Sequence, residues 1–356
     1  MNRILVLVIS IAAISLFSCK RAIIETNSLA KNIDSLLEIK PSKPFNGIIL
    51  IAKDGKTEYL KTCGYSDLDK KTSLKIDDQF VIGSVSKQFT AAIVLQEYDK
   101  GYLDLHTPIK KYLPDLSQSW ADTVTIHHLL THTHGIVSLD KPTVFPVGTK
   151  YEYSQIGYDL LAKIVERTSG KSFVELSSDL FKKWNMNHTF HPEKKEYQNL
   201  VRGYIENDEG KLEYTNESLK QYPAAGAFIS SAEDLMHWNQ YFFEAKLLNE
   251  NTFLLMTTKQ DKAIRNHPIF GLTEYGYGIT IDDKDGIIQW GQTGFAPGFV
   301  SMNYYFPQNK TSVIVLENVN YDVSDLKKTF YYHVQILDFV RNEVLKEITT
   351  ANFNRL

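Results

Sequence analysis

The chain has 356 residues, 43% hydrophobic and 23% charged, the balance of a globular protein with one large or two ordinary domains. Its formal net charge is -3 and no basic stripe runs along it, which argues against a nucleic-acid partner. Low-complexity tracts and fixed-period repeats are absent from the sequence, which argues against solenoids and long disordered linkers.

At the N-terminus, Arg3 precedes an uncharged, largely apolar run over residues 4–17. That run is too short to span a bilayer comfortably and suits a signal-peptide core. It ends Leu16-Phe17-Ser18-Cys19, and this ending resembles the lipobox of bacterial lipoproteins, where the cysteine becomes the lipidated first residue. The resemblance implies a signal peptide over 1–18, an anchor and first helix over 19–40, lipid on Cys19, and an exported protein held at a membrane. An ordinary secretory signal with a chance cysteine is the plainer alternative. With Cys19 lipidated, Cys63 has no partner for an intrachain disulfide, and its strand-like surroundings read it as a small buried hydrophobe.

Ile23, Ile24, Leu29, Ile33, Leu36 and Leu37 have mostly helical spacing, ending before Pro41 and Pro44. An apolar run over 47–52, Asp54-Gly55 and a β-prone run over 57–65 predict a hairpin. Next comes Phe80-Val81-Ile82-Gly83-Ser84-Val85-Ser86-Lys87, a strand-like run into a serine. Phe89, Ala92, Ile93 and Leu95 then predict a helix stopped at Gly101. If Ser84 opens that helix, Lys87 lies one turn along on the same face. A hydroxyl is a poor nucleophile until a base takes its proton, and a buried amine of lowered pKa can do so. Alone, however, Ser-x-x-Lys is a weak pattern, and a serine near a helix start is most often only a cap.

From 102 to about 270 the chain reads as helices and long loops, with helices over 126–130, 158–168 and 232–243, the last capped by Ser231. Strand character returns over 277–281, 287–290, 299–306 and 311–316, and a final helix is predicted over 325–346. Strands at both chain ends with helices between them predict an α+β fold: one antiparallel sheet flanked by helices, plus a mostly helical inserted region about 102–270 within a domain spanning 41–346.

Two further stretches bear on chemistry. Tyr151-Glu152-Tyr153-Ser154-Gln155 puts a phenol and a carboxamide at a loop edge, although an interface tyrosine bonded to backbone is the ordinary reading. Gln292-Thr293-Gly294-Phe295 follows a strand, with glycines that permit close backbone approach, although a bulged edge strand reads the same way.

In order and together, these stretches resemble the serine β-lactamase-like and penicillin-binding-protein-like family, nearest its class C β-lactamase and esterase branch. The family's S-x-x-K stands as Ser84-Val85-Ser86-Lys87, its Y-x-N as Tyr153-Ser154-Gln155, and its Lys/His-Thr-Gly as Gln292-Thr293-Gly294. The text over 125–136, Pro223-Ala224-Ala225-Gly226 and Tyr275-Gly276-Tyr277-Gly278 is similar to the family too. The resemblance implies that Ser84 forms an acyl-enzyme, Lys87 accepts its proton, and Tyr153 relays that proton to the leaving group. It further implies an oxyanion hole from the backbone N–H groups of Ser84 and Phe295, and substrate contacts from Gln155, Gln292, Thr293 and Gly294.

This chain departs from the family at two glutamines. Gln155 is one methylene longer than the family's Asn, so its carboxamide is expected to need a backbone adjustment to reach the same point. Gln292 removes a cation beside the nucleophile, and a neutral contact is roughly half as strong as a charge-assisted one. The expectation is therefore an exported serine hydrolase acting on small esters, amides or peptides, with weak or no β-lactamase activity. The alternative is a non-catalytic binding or sensing module on the same scaffold. His127, His128, His132 and His134 fall within eight residues, and the spacing of His128 and His132 can suit zinc on one helical face. No H-E-x-x-H pattern accompanies them, and the family implies a structural turn there, so neither a metal nor any other cofactor is expected.

Overall fold

The computed structural model describes residues 28–39, 43–195, 197–220, 222–244 and 247–353. The signal segment over 1–18 and Cys19 lie outside the described residues.

The first helix, α1 (Ser28–Glu38), buries Leu29, Ile33 and Leu36 on one face, as their spacing predicts. The hairpin follows as β1 (Gly47–Lys53) and β2 (Lys56–Cys63). Asp54 and Gly55 at its turn have φ of 49° and 71°, the left-handed pair that matches the natural twist of two joined strands. The remaining strands of the main sheet come late in the chain: β3 (Ile264–His267), β4 (Gly271–Tyr275), β5 (Thr280–Asp282), β6 (Gln289–Ala296), β7 (Phe299–Phe306) and β8 (Thr311–Glu317). They form one eight-stranded sheet in the order β2-β1-β8-β7-β6-β5-β4-β3, antiparallel throughout.

Strand alternation divides the core in two. Ile49 and Ile51 of β1, with Val313 and Val315 of β8, face α1 and the C-terminal helix α9 (Tyr331–Phe353), which brings Ile336, Leu337, Val340 and Val344. Ile48, Leu50, Ile314 and Leu316 point the other way, into a larger core beneath α2 (Ser86–Asp99), α4 (Gln155–Ser169), α5 (Phe173–Lys183) and α6 (Ala232–Phe243). Helix α2 is buried nearly all round, including Phe89, Ala91, Ala92, Ile93, Val94 and Leu95. It is the central helix, which explains why its apolar residues show no single stripe.

The expected layout of end strands around a middle helical region is present. Short α3 (Ile126–Leu130), α7 (Glu250–Thr257) and α8 (Leu326–Thr329) are the remaining α-helices among the described residues. The helix predicted over 325–346 is interrupted at Phe330, the C-cap of α8, and runs on to Phe353. One difference matters for the site. Ile264–His267 falls in the stretch read as helices and loops, yet it forms the edge strand β3 of the main sheet. Its residues show no apolar alternation, because the inward positions carry Arg265 and His267 while Ile264 is exposed. Among the described residues, no helix is long and apolar enough to cross a membrane.

Candidate active site

A two-residue strand, Phe80–Val81, pairs with Ile229–Ser230 and delivers the chain to a tight turn over Gly83–Val85, from which α2 starts at Ser86. Ser84 therefore sits on the turn that leads into the helix, two residues before its first residue. Gly83 has φ of 51°, and a Cβ there would lie 2.6 Å from the Phe295 backbone nitrogen. Only glycine lets β6 come this close to the turn. Phe295 also lies beyond the last pairing of β6 with β5, Thr280↔Gly291, so its edge of the strand faces the Ser84 turn. The Phe295 nitrogen is thus brought against Gly83, the residue before Ser84.

Lys87 is fully buried. Its Nζ donates to Gln155 Oε1 at 2.5 Å, to the Ala225 carbonyl at 2.7 Å and to Ser84 Oγ at 3.3 Å. Burial holds the amine below the usual lysine value of 10.5, with the adjacent Tyr153 working against that shift. The Tyr153 hydroxyl donates to Ser84 Oγ at 2.7 Å. Burial alone would push this phenol up, but Lys87 and Arg265 beside it pull it below its usual 10.0. Amine and phenol thus converge on one hydroxyl, and each loses its proton more readily than in water, as base catalysis at a serine needs.

Gln155 is the first residue of α4, whose N-cap Ser154 accepts from the Gly157 N–H at 3.3 Å. The extra methylene of Gln155 was expected to displace its amide. In the structure its oxygen reaches Lys87 directly, so the longer side chain makes the lysine contact itself. His132, in the left-handed conformation at φ of 60°, accepts from the Ser154 N–H at 3.2 Å through Nδ1 and packs its ring 4.5 Å from that of Tyr153. Burial, then Lys87, hold this imidazole well below 6.5, so it acts as a neutral wedge under the tyrosine loop. The zinc spacing fails on geometry: α3 ends at Leu130, which leaves His132 off the helical face that carries His128. His128 instead completes the Thr125 cap of α3.

The third motif is arranged differently from the expectation. Gln292 is fully buried and does not face the nucleophile. Its Nε2 donates to the Tyr275 hydroxyl at 2.9 Å, and its Oε1 accepts from Thr280 Oγ1 at 3.3 Å and Arg265 Nη1 at 3.4 Å. The buried Thr293 shares a 3.1 Å hydrogen bond with His267 Nε2. A Cβ on Gly294 would fall 2.1 Å from the Ile82 carbonyl oxygen, so this glycine is demanded by the protein's own backbone rather than by a ligand. In place of a cation on β6, the structure brings Arg265 from β3, with its guanidinium carbon 4.4 Å from the Tyr153 ring centre. Sequence reading missed this residue. The available signal was indirect: a third motif without its cation leaves a role for a cation from elsewhere.

A separate cavity of about 640 Å³ is lined by Ile156, Asp159, Leu160, Phe173, Pro223 and Ala224 among others, and by none of Ser84, Lys87 or Tyr153. Small-ligand sites span about 300–1,000 Å³. Ile156 follows Gln155, and Ala224 precedes Ala225, so the cavity wall is continuous in sequence with both Lys87 partners. Burial raises the Asp159 carboxyl to about 6, against the pull of Lys163 and Lys87.

The family model described as Beta-lactamase matches residues 40–338. The chain belongs to the beta-lactamase family. The family is of the serine-hydrolase type. Among curated relatives, penicillin-binding protein 4* of Bacillus subtilis (strain 168) is 26% identical, with 82% of this chain and 72% of that protein covered. Protein flp of Staphylococcus aureus (strain MRSA252) is 24% identical over 83% of this chain but only 64% of its own length. Among solved structures, the octameric penicillin-binding protein homologue of Pyrococcus abyssi aligns at a TM-score of 0.71 and 27% identity, covering 82% of this chain and 73% of that one. The D-amino acid amidase of Ochrobactrum anthropi SV3, complexed with L-phenylalanine amide, shares the fold at a TM-score of 0.74 and 20% identity, covering 88% and 99%. The beta-lactamase fold expected from the motif order is therefore present.

Proposed function

We propose that the chain is a serine hydrolase that opens small amides or esters through an acyl-enzyme on Ser84. The observation that carries this reading is the convergence of Tyr153 and Lys87 on Ser84 Oγ at 2.7 and 3.3 Å, with Lys87 wholly buried. Ser84 Oγ attacks the substrate carbonyl carbon while its proton passes to Lys87. The carbonyl oxygen gathers negative charge between the N–H groups of Ser84 and Phe295. Tyr153 then gives its own phenol proton to the leaving nitrogen or oxygen as that bond breaks and is reprotonated from Lys87, and water releases the acyl group by the reverse relay. Activity on β-lactams is expected to be weak. The Gln292 amide that replaces the family's cation is engaged with Tyr275, Thr280 and Arg265 and is closed to a substrate carboxylate.

The test is covalent labelling with a fluorophosphonate followed by peptide mass spectrometry, then turnover of p-nitrophenyl esters and of D- and L-aminoacyl amides. An adduct on Ser84, absent from Ser84→Ala, with turnover of an ester or amide, is the expected result. No adduct at any pH would favour the binding-module alternative, and nitrocefin hydrolysis at rates typical of true β-lactamases would overturn the substrate preference.

We further propose that the mature protein is exported and held at a membrane by lipid on Cys19, as the Leu16-Phe17-Ser18-Cys19 ending suggests. Incorporation of a palmitate analogue that disappears in Cys19→Ala supports this, and incorporation that survives the substitution rejects it.

A further inference from the structure

The four arginines among the described residues do not have equivalent surroundings. Arg167 lies 2.6 Å from Asp115, Arg202 lies 3.0 Å from Asp69, and Arg341 lies 3.6 Å from Asp285. Arg265 pairs with no carboxylate among the described residues. Its polar contact is the Gln292 oxygen, and its charged-state neighbours are the phenols of Tyr151, Tyr153, Tyr275 and Tyr304. A half-buried guanidinium without a counter-ion is costly, because desolvation is not offset by a partner. Of the phenols around it, burial keeps Tyr151, Tyr275 and Tyr304 in their neutral form, whereas Tyr153 is pulled the other way.

Two cations flank the Tyr153 ring: Lys87 Nζ at 4.7 Å and the Arg265 guanidinium carbon at 4.4 Å from its centre. They differ in kind. Lys87 must lose and regain a proton to serve Ser84, so its charge alternates during the reaction. An arginine keeps its charge at every step. When Lys87 is neutral, the other groups around Tyr153 supply no positive charge: His132 is held neutral, Tyr151, Tyr158 and Tyr275 are phenols, and Asp159, whose charge reaches Lys87, can only be neutral or negative.

Resting on the acyl-enzyme reading above, we propose that Arg265 is the positioning residue that replaces the third motif's missing cation: its fixed charge, lying across the Tyr153 ring and tied to Gln292, lets Tyr153 give up its proton to the leaving group and take it back. The substitution of Gln for a cation on β6 and the arrival of Arg265 from β3 are two halves of one arrangement. The neutral Gln292 amide can accept from Arg265, whereas a second cation there would repel the guanidinium.

The experiment is ultraviolet titration of tyrosinate in the full-length protein, comparing wild type, Tyr153→Phe, Arg265→Gln and Arg265→Lys. The phenol missing from Tyr153→Phe is expected to ionise about one pH unit or more higher in Arg265→Gln, with Arg265→Lys between, as loss of an opposite charge within about 4–6 Å predicts. The acid limb of fluorophosphonate labelling, measured with this uncharged-tail probe, is expected to move in the same direction. An unchanged tyrosinate titration in a folded Arg265→Gln or Arg265→Lys protein overturns the proposal. Failure of the acyl-enzyme reading shows separately, as absence of a Ser84 adduct in wild type whatever the titration does.

Discussion

Gln155 Oε1 lies 2.5 Å from Lys87 Nζ, so the first residue of α4 reaches back to hold the buried amine of α2. The contact sets where the amine points: with the Ala225 carbonyl it takes the two hydrogens of the neutral amine and leaves the lone pair for Ser84 Oγ, 3.3 Å away. Asn at 155 would stop one methylene short. Gln155→Asn is expected to lower the fluorophosphonate labelling rate roughly 10- to 100-fold, from about 1.5–3 kcal/mol for a hydrogen bond to a charged group. An unchanged rate would show that the amine does not depend on this contact.

The proton relay predicts a pH profile. Lys87 is held below 10.5 by burial, and Tyr153 is held below 10.0 by Lys87 and Arg265 against its own burial. The reactive form is the deprotonated one, so the acylation rate rises with pH and levels off before the ordinary lysine and phenol range. The apparent value belongs to the pair rather than to either group. Lys87→Met is expected to cost about 10²–10⁴-fold, the usual worth of a positioned general base. A Lys87→Met protein labelled at the wild-type rate would remove Lys87 from the mechanism.

Gly83 permits the approach of Phe295. Alanine there would hold a left-handed φ of 51° and place its methyl 2.6 Å from the Phe295 nitrogen. Gly83→Ala is expected to lower kcat/KM by roughly 10²–10³, the cost of one lost oxyanion donor. The comparison that checks it is ester turnover against melting temperature in the same preparations. Full activity in a folded variant would mean that the Phe295 N–H is not used.

A stability prediction comes from the far side of the sheet. Glu317 Oε2 and His333 Nδ1 lie 3.4 Å apart, and both side chains are buried. Burial raises the Glu317 carboxyl well above 4.5 and lowers the His333 imidazole to about 3. For Glu317, whose folded value is raised, the stabilising proton is fully bound below the unfolded value of 4.5 and is lost as pH rises towards the folded one. Glu317→Gln is therefore expected to stabilise the protein at pH 8 by about 1–3 kcal/mol, the scale of an unsatisfied buried polar group, with the difference shrinking towards pH 4. For His333, whose folded value is depressed, stability falls as pH drops from 6.5 towards 3. Denaturant melts at both pH values measure these slopes. Destabilisation by Glu317→Gln at pH 8 would mean that the two groups instead form an ion pair.

Much of the site was legible in sequence because its parts are local. Ser84 and Lys87 are one helical turn apart, and Tyr153, Ser154 and Gln155 are a cap and its neighbours. Their relation is set by backbone geometry that residue spacing reports directly. The hairpin over 47–63 was legible for the same reason, since Asp54-Gly55 states its own turn. The family's motif order then joined these pieces across the chain.

Arg265 and Gln292 were not legible in this way. They are 27 residues apart, with β4 and β5 between their strands in the sheet, and meet only because β3 is the edge strand and an arginine side chain is long enough to cross. Sequence showed that β6 carries an amide where the resembled motif has a cation, but not which way that amide turns. By itself the sequence determined the α+β layout and the serine and lysine on one turn, and the family resemblance pointed to Tyr153 as the group that meets them. Tertiary structure alone decided that Gln292 faces inward, that Arg265 lies on Tyr153, and that the Ala225 carbonyl receives Lys87. The reason is physical: local spacing is set by the backbone, whereas contacts between distant strands depend on sheet order and side-chain reach, which no short pattern encodes.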